Sequence, residues 1–132
     1  MTDLNLPQNT RIVIATGEEA KLFNFKNGNL NADGHWTPQN LADEGPSGKS
    51  PPEQSAQESM EATFSKQIAE RLYYDAHAKK FHTLVLCADP NTLGEIRPLL
   101  HKEVEATLHA EIDKTLINAP IDEIERSLAK AL

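Results

Sequence analysis

Thr83-Leu84-Val85-Leu86-Cys87-Ala88, ending at Asp89-Pro90, decides the fold. This unbroken apolar run has the length of a strand and no polar alternation, as a central strand covered on both faces requires. Upstream, Met60, Phe64, Ile68, Leu72 and Ala76 recur at four-residue spacing, with Ala69 and Tyr73 beside them, and predict an amphipathic helix of some five turns. Downstream, Asn91 or Thr92 is placed to cap a helix through Leu93, Ile96, Leu99 and Leu100, which Pro98 is expected to kink or divide. Leu108, Ala110 and Ile112 alternate with His109, Glu111 and Asp113, the pattern of a half-exposed strand over Thr107 to Lys114. Pro120 is well placed to open a last helix carrying Ile121, Ile124, Leu128 and Leu132.

At the other end of the chain, Arg11 to Thr16 and Ala20 to Phe25 read as two strands, and Asn27-Gly28 is a strong turn signal because both residues accept positive φ. A third, less regular strand is expected over Asn29 to His35. The order is strand, strand, strand, loop, helix, strand, helix, strand, helix. It predicts an α/β protein with a single mixed sheet flanked by helices, joined by parallel crossovers in its second half. Residues 1–10 are expected to form a flexible N-terminus, and residues 11–132 a single domain.

Composition agrees with one core. The 132 residues are 39% hydrophobic but only 5% aromatic, so Ile, Leu, Val and Ala must fill most of the interior, with Phe23, Phe25, Phe64 and Phe81 as larger pieces. A lone cysteine, Cys87, excludes an internal disulfide and reads as a packed thiol in a reducing compartment. No basic, apolar leader and no run of about 18 apolar residues is seen, which predicts an unexported, cytoplasmic protein without a membrane partner. The net charge of −7 argues against general nucleic-acid binding and predicts no DNA partner. One local exception is the helix from Phe64 to Lys80, where Lys66, Arg71, Lys79 and Lys80 outnumber Glu70 and Asp75.

Between Trp36 and Gln57 the composition turns to Pro, Gly, Ser, Asn, Gln and acidic residues. A long mobile loop is expected there, and long loops inside compact domains tend to be functional. Trp36, Lys49 and Gln54 are therefore candidate binding residues, together with Lys66, Arg71, Lys79 and Lys80 of the basic helix face.

Motifs for catalysis and metals are weak. Gly48-Lys49-Ser50 has the ending of a phosphate loop, but Asp43 stands where its first glycine belongs. The five histidines, His35, His77, His82, His101 and His109, lack zinc-ligand spacing, and no serine lies in a Gly-x-Ser-x-Gly elbow. Asp89 and Asp113, at two strand ends, are weak support for a shared divalent ion and a metal-dependent nuclease, and read as a turn or capping residue and an exposed strand residue. No catalytic residue, metal or cofactor is predicted.

The chain resembles the bacterial host attachment protein family, which is related to the middle domain of archaeal and eukaryotic peptide-chain release factors. The resemblance runs from Arg11 to about Leu128. It is carried by Ile12 to Phe23, by Phe64, Ile68, Ala69 and Leu72, by Phe81 and Leu84 to Arg97, and by Glu111, Asp113, Lys114, Leu116 and Pro120. It implies a translation-machinery, ribonuclease H-like fold with a ribosome, tRNA or protein as partner. In release factors the corresponding loop carries Gly-Gly-Gln, which positions water against the peptidyl-tRNA ester. Here that loop has neither adjacent glycines nor a Gly-Gln pair, and Gln54 follows Pro52 and Glu53, which lack glycine's backbone freedom. The expectation is a non-catalytic binding protein acting through the 36–57 loop and the basic helix face. A hydrolase acting on an RNA ester or phosphodiester through a non-standard site is the alternative.

Overall fold

A computed structural model describes residues 6–38 and 56–132. Five strands form one mixed sheet: β1 (Thr10–Ala15), β2 (Ala20–Lys26), β3 (Asn29–Trp36), β4 (Leu84–Ala88) and β5 (Leu108–Asp113), in the spatial order β3-β2-β1-β4-β5. β1, β2 and β3 form an antiparallel meander, whereas β4 is parallel to both β1 and β5. The helices are α1 (Ala56–His77), α2 (Pro90–Ile96), α3 (Lys102–Glu105) and α4 (Ile121–Ala131), with a 3-10 turn at Arg97–Leu99.

The apolar run at Thr83 to Ala88 is the inner strand β4, every residue of which is buried. Its neighbour β1 is also buried throughout and splits by period two. Val13 and Ala15 join Leu22, Trp36, Leu84 and Leu86 beneath α1, α2 and α3, with Phe64, Ile68 and Leu72 of α1 at the centre. Ile12 and Ile14 join Phe23, Phe25, Val85, Cys87 and Ile112 on the opposite face, where Ile124 and Leu128 of α4 cover them. Leu6 packs into this second layer, so the chain is tethered before β1 begins.

The hairpin between β2 and β3 turns at Asn27 (φ 53°) and Gly28 (φ 80°), the paired positive angles of a tight type I′ connection. Each edge strand carries one extra residue. Leu22 pairs with Gly34 and Phe23 with Ala32, leaving Asp33 as the additional residue in β3. Leu84 pairs with Leu108 and Val85 with Ala110, leaving His109 in the same position in β5. Such bulges twist an edge and make it a poorer template for a further strand.

The helix expected after Asp89 is divided at Pro98. α2 ends at Ile96, the 3-10 turn follows, and a further single turn, α3, which the sequence pattern did not predict, is capped by His101 Nδ1 accepting from the Glu103 N–H. Two loop boundaries also shift inward. Trp36 closes β3 by pairing with Ala20, and Ala56 and Gln57 already belong to α1, whose opening residues are good helix formers.

Candidate functional site

The parallel strands give the molecule two chemically different ends. At their C-terminal end, Thr16 closes a tight turn in which its Oγ1 accepts from the N–H groups of Glu18 and Glu19, both at 3.2 Å. Glu19 Oε2 meets His35 Nε2 at 2.7 Å. On β4's end, Asp89 caps α2 by accepting from the Thr92 N–H at 3.1 Å and the Thr92 hydroxyl at 2.8 Å, with Pro90 in the first helical position. One turn later Glu95 accepts from Asn91 Nδ2 at 3.2 Å.

Across from it, α1 presents Glu61 and Ser65. A Cβ on Gly17 would lie 2.7 Å from Glu61 Cγ, so the β1–β2 turn can approach α1 this closely because residue 17 is glycine. Glu95 feels this surrounding. Partial burial, then the charges of Glu61 and Asp89, push its carboxyl above the ordinary glutamate range, against hydrogen bonds from Ser65 and Asn91. These carboxylates repel anions. Among the described residues no group of three or more His, Cys, Asp or Glu side chains is arranged to hold a metal ion. Asp89 is occupied as a helix cap, and Asp113 is exposed next to Ala88 on the neighbouring strand.

The opposite end holds the basic helix face. Its centre is a carboxylate, Asp75, buried at 4% exposure. Arg11, the second residue of β1 and itself buried, donates from Nη1 to Asp75 Oδ2. Arg71 Nε lies 3.5 Å and Lys80 Nζ 3.6 Å from Asp75 Oδ1. Arg11 also lies 3.8 Å from the bulge residue Asp33 through Nη2, and its guanidinium sits 4.9 Å from the centre of the Phe81 ring. Two candidate cations, Arg71 and Lys80, are thus drawn into a structural hub that fastens the end of α1 to the start of β1.

Lys79 and Lys66 are exposed. Lys79 takes a left-handed conformation (φ 60°) and ends α1, where the Lys79 N–H donates to Ala76 O and the Lys80 N–H to Asp75 O. Trp36 is 8% exposed and packs in the core layer beneath α1 rather than projecting from the surface, because its register opposite Ala20 directs it to the buried face. Lys49 and Gln54 lie outside the described residues.

Two features were not singled out from the sequence. One is the Arg11–Asp75 pair, whose members are 64 positions apart. The other is a cluster of rings at the end of α1. The Tyr73 ring lies 4.1 Å from that of His101 and 5.8 Å from those of both Tyr74 and His77, centre to centre. The i,i+4 spacing of Tyr73 and His77 was a readable signal for part of it.

The strand order, the long first helix and this division of charge occur in a chain whose residues 9–128 match a family profile described as bacterial archaeo-eukaryotic release factor family 12. The chain belongs to that family. Nearly all of the release-factor-like domain is therefore covered, from the start of β1 to Leu128 in α4. No curated protein matches the chain. Among the described residues of this family member, no helix is long and apolar enough to cross a membrane.

Proposed function

We propose that this release-factor-like protein is a non-catalytic binding protein that engages the ribosome, a tRNA or a protein partner in the cytoplasm. The observation that carries this reading is family membership combined with the loss of the release motif. Its six glycines include no adjacent pair, and none precedes a glutamine. Without Gly-Gly-Gln the scaffold keeps its shape and loses the group that orients water. The 36–57 segment, with Lys49 and Gln54, and the exposed lysines Lys66 and Lys79 of α1 are the proposed contacts. Arg71 and Lys80 hold Asp75, and Trp36 belongs to the core. Host attachment, which the sequence resemblance implies, is on this reading an indirect consequence of binding inside the cell.

Co-sedimentation of the native protein with ribosomes from its own cells, across a salt series, tests this reading. The comparison is a variant in which residues 39–55 are replaced by a short Gly/Ser linker, sparing Trp36 and α1. Salt-sensitive pelleting that the linker abolishes is the expected result. A protein left wholly in the supernatant at low salt removes the ribosome and leaves a tRNA or a protein partner.

One observation favours the alternative, hydrolysis of an RNA ester or phosphodiester. Glu95, with its raised carboxyl beside Ser65 and Asn91, has the tendency to hold a proton that a general acid needs. Incubation with labelled peptidyl-tRNA and structured RNA decides: cleavage lost in Glu95→Gln supports it, and no cleavage by the native protein ends it.

A further inference from the structure

We propose that the ring cluster at the C-terminal end of α1 is a binding surface for unpaired RNA, which takes bases on Tyr74 and Tyr73 and phosphates on Lys79 and Lys102. This deepens the binding role proposed above by assigning the chemistry of one partner to one surface. Tyr74 is 63% exposed, the most exposed of the large apolar side chains among the described residues, and makes its ring contact with Tyr73 at an interplanar angle of 48°. Behind it the Tyr73 ring meets that of His77 on the same helix and that of His101, the cap of α3, so Tyr73 is held from two elements. Tyr74 offers the open face, and the Tyr73 ring beside it gives an incoming base a second aromatic neighbour. Any base offers a face for stacking, so such platforms favour single strands over duplexes.

Charge placement agrees. α1 ends near the starts of β4 and β5: Arg11, which holds Asp75, pairs with Leu84, and the Leu84 N–H donates to Thr107 O. Lys79, His82, His101, Lys102 and His109 are all exposed in the segments around that end, with Glu103 and Glu105 as the exposed carboxylates of α3 and Lys80 committed to Asp75. Glu103 is partly engaged there by His77, whose Nδ1 lies 3.1 Å away. At the far end of the strands stand Glu61, Asp89 and Glu95. A polyanion is therefore repelled from one end of this molecule and accepted at the other, despite the overall charge of −7.

Fluorescence anisotropy with a labelled 12-nucleotide poly(A) strand and a matching RNA duplex, over a salt series, tests the assignment. The expected result is binding of the single strand in preference to the duplex. Tyr74→Ala should weaken it by roughly 5- to 100-fold, the size of one stacked base. Lys79→Asn removes the charge while keeping a residue that tolerates the left-handed turn, and should lower the slope of log affinity against log salt by about 0.7. Unchanged affinity in Tyr74→Ala, equal affinity for the duplex, or no binding at low salt each overturns the proposal. The ribosome experiment separates the two readings: ribosome pelleting that survives Tyr74→Ala, with no strand binding, removes this surface and leaves the wider binding role intact.

Discussion

Replacing Asp75 by Ala tests whether the hub at the end of α1 holds the fold together. The Asp75 and Arg11 side chains are 6% and 10% exposed, so both charges have left water and rely on each other. Removing one partner of such a pair leaves the other charge buried and unpaired, a loss of about 3–5 kcal/mol. Arg11 retains two lesser partners, Asp33 at 3.8 Å with its side chain 43% exposed and the face of Phe81 at 4.9 Å. These place the loss near the lower end, about 3 kcal/mol. Arg71 and Lys80 add little, because their side chains are 29% and 56% exposed and water replaces the carboxylate. A loss of that size lowers the folded-to-unfolded ratio by roughly a hundredfold. In urea at neutral pH the midpoint should fall by about 1–3 M with an unchanged slope. The control is the double variant Arg11→Met with Asp75→Leu, which removes both charges and keeps apolar volume, and should lie within about 1 kcal/mol of wild type. A loss below about 1 kcal/mol in Asp75→Ala, or a double variant no more stable than the single one, would refute the argument.

Cys87 should be inert in the folded protein. Burial pushes its thiol up to about 11, against a backbone hydrogen bond and the charge of Lys114, so roughly one molecule in a thousand is ionised at pH 8. Iodoacetamide should label it at the ordinary rate in urea and hardly at all without, and equal rates in both would disprove the packing. Glu95→Gln should raise the melting temperature at pH 7, since the native state holds the Glu95 proton more tightly than the unfolded chain does. That penalty on the ionised group is present above the native value and vanishes below the ordinary 4.5, so the advantage of the variant must shrink as pH falls toward 4.5. An advantage that grows on acidification would contradict the sign.

Elements whose pattern is carried by residues close together in sequence were legible before the structure. The β4 run, the four-residue spacing of α1, the Asn27-Gly28 turn and the break at Pro98 are written in local chemistry, and all stand where expected to within a few residues. α3 was not legible, because four residues form a helix there through tertiary contact and the His101 cap rather than through any periodic stripe. Trp36 was read from composition as part of the loop that follows it, whereas strand register turned it inward. The charges of Lys66, Arg71, Lys79 and Lys80 were visible, but whether a cation is available to a partner depends on what lies beside it in space. Asp75, facing Arg11 from 64 positions away, is what divides the face into structural and exposed members.

That division also changes what the basic face can contribute to binding. With Arg71 and Lys80 turned toward a buried carboxylate, a solvated stripe of four cations along α1 is not available to a phosphate backbone. What remains is uneven: Lys66 near the middle of the helix, and Lys79 at its end beside the tyrosine and histidine rings. At the ring cluster only Lys79 and, from α3, Lys102 face a phosphate backbone, and so few lysines give weak, strongly screened attraction. Affinity for RNA at this surface must therefore come chiefly from stacking, which salt weakens little. Variants of Tyr74 should consequently act on the affinity that persists at high salt, and variants of Lys79 on the slope. A phosphate-only surface would show the reverse.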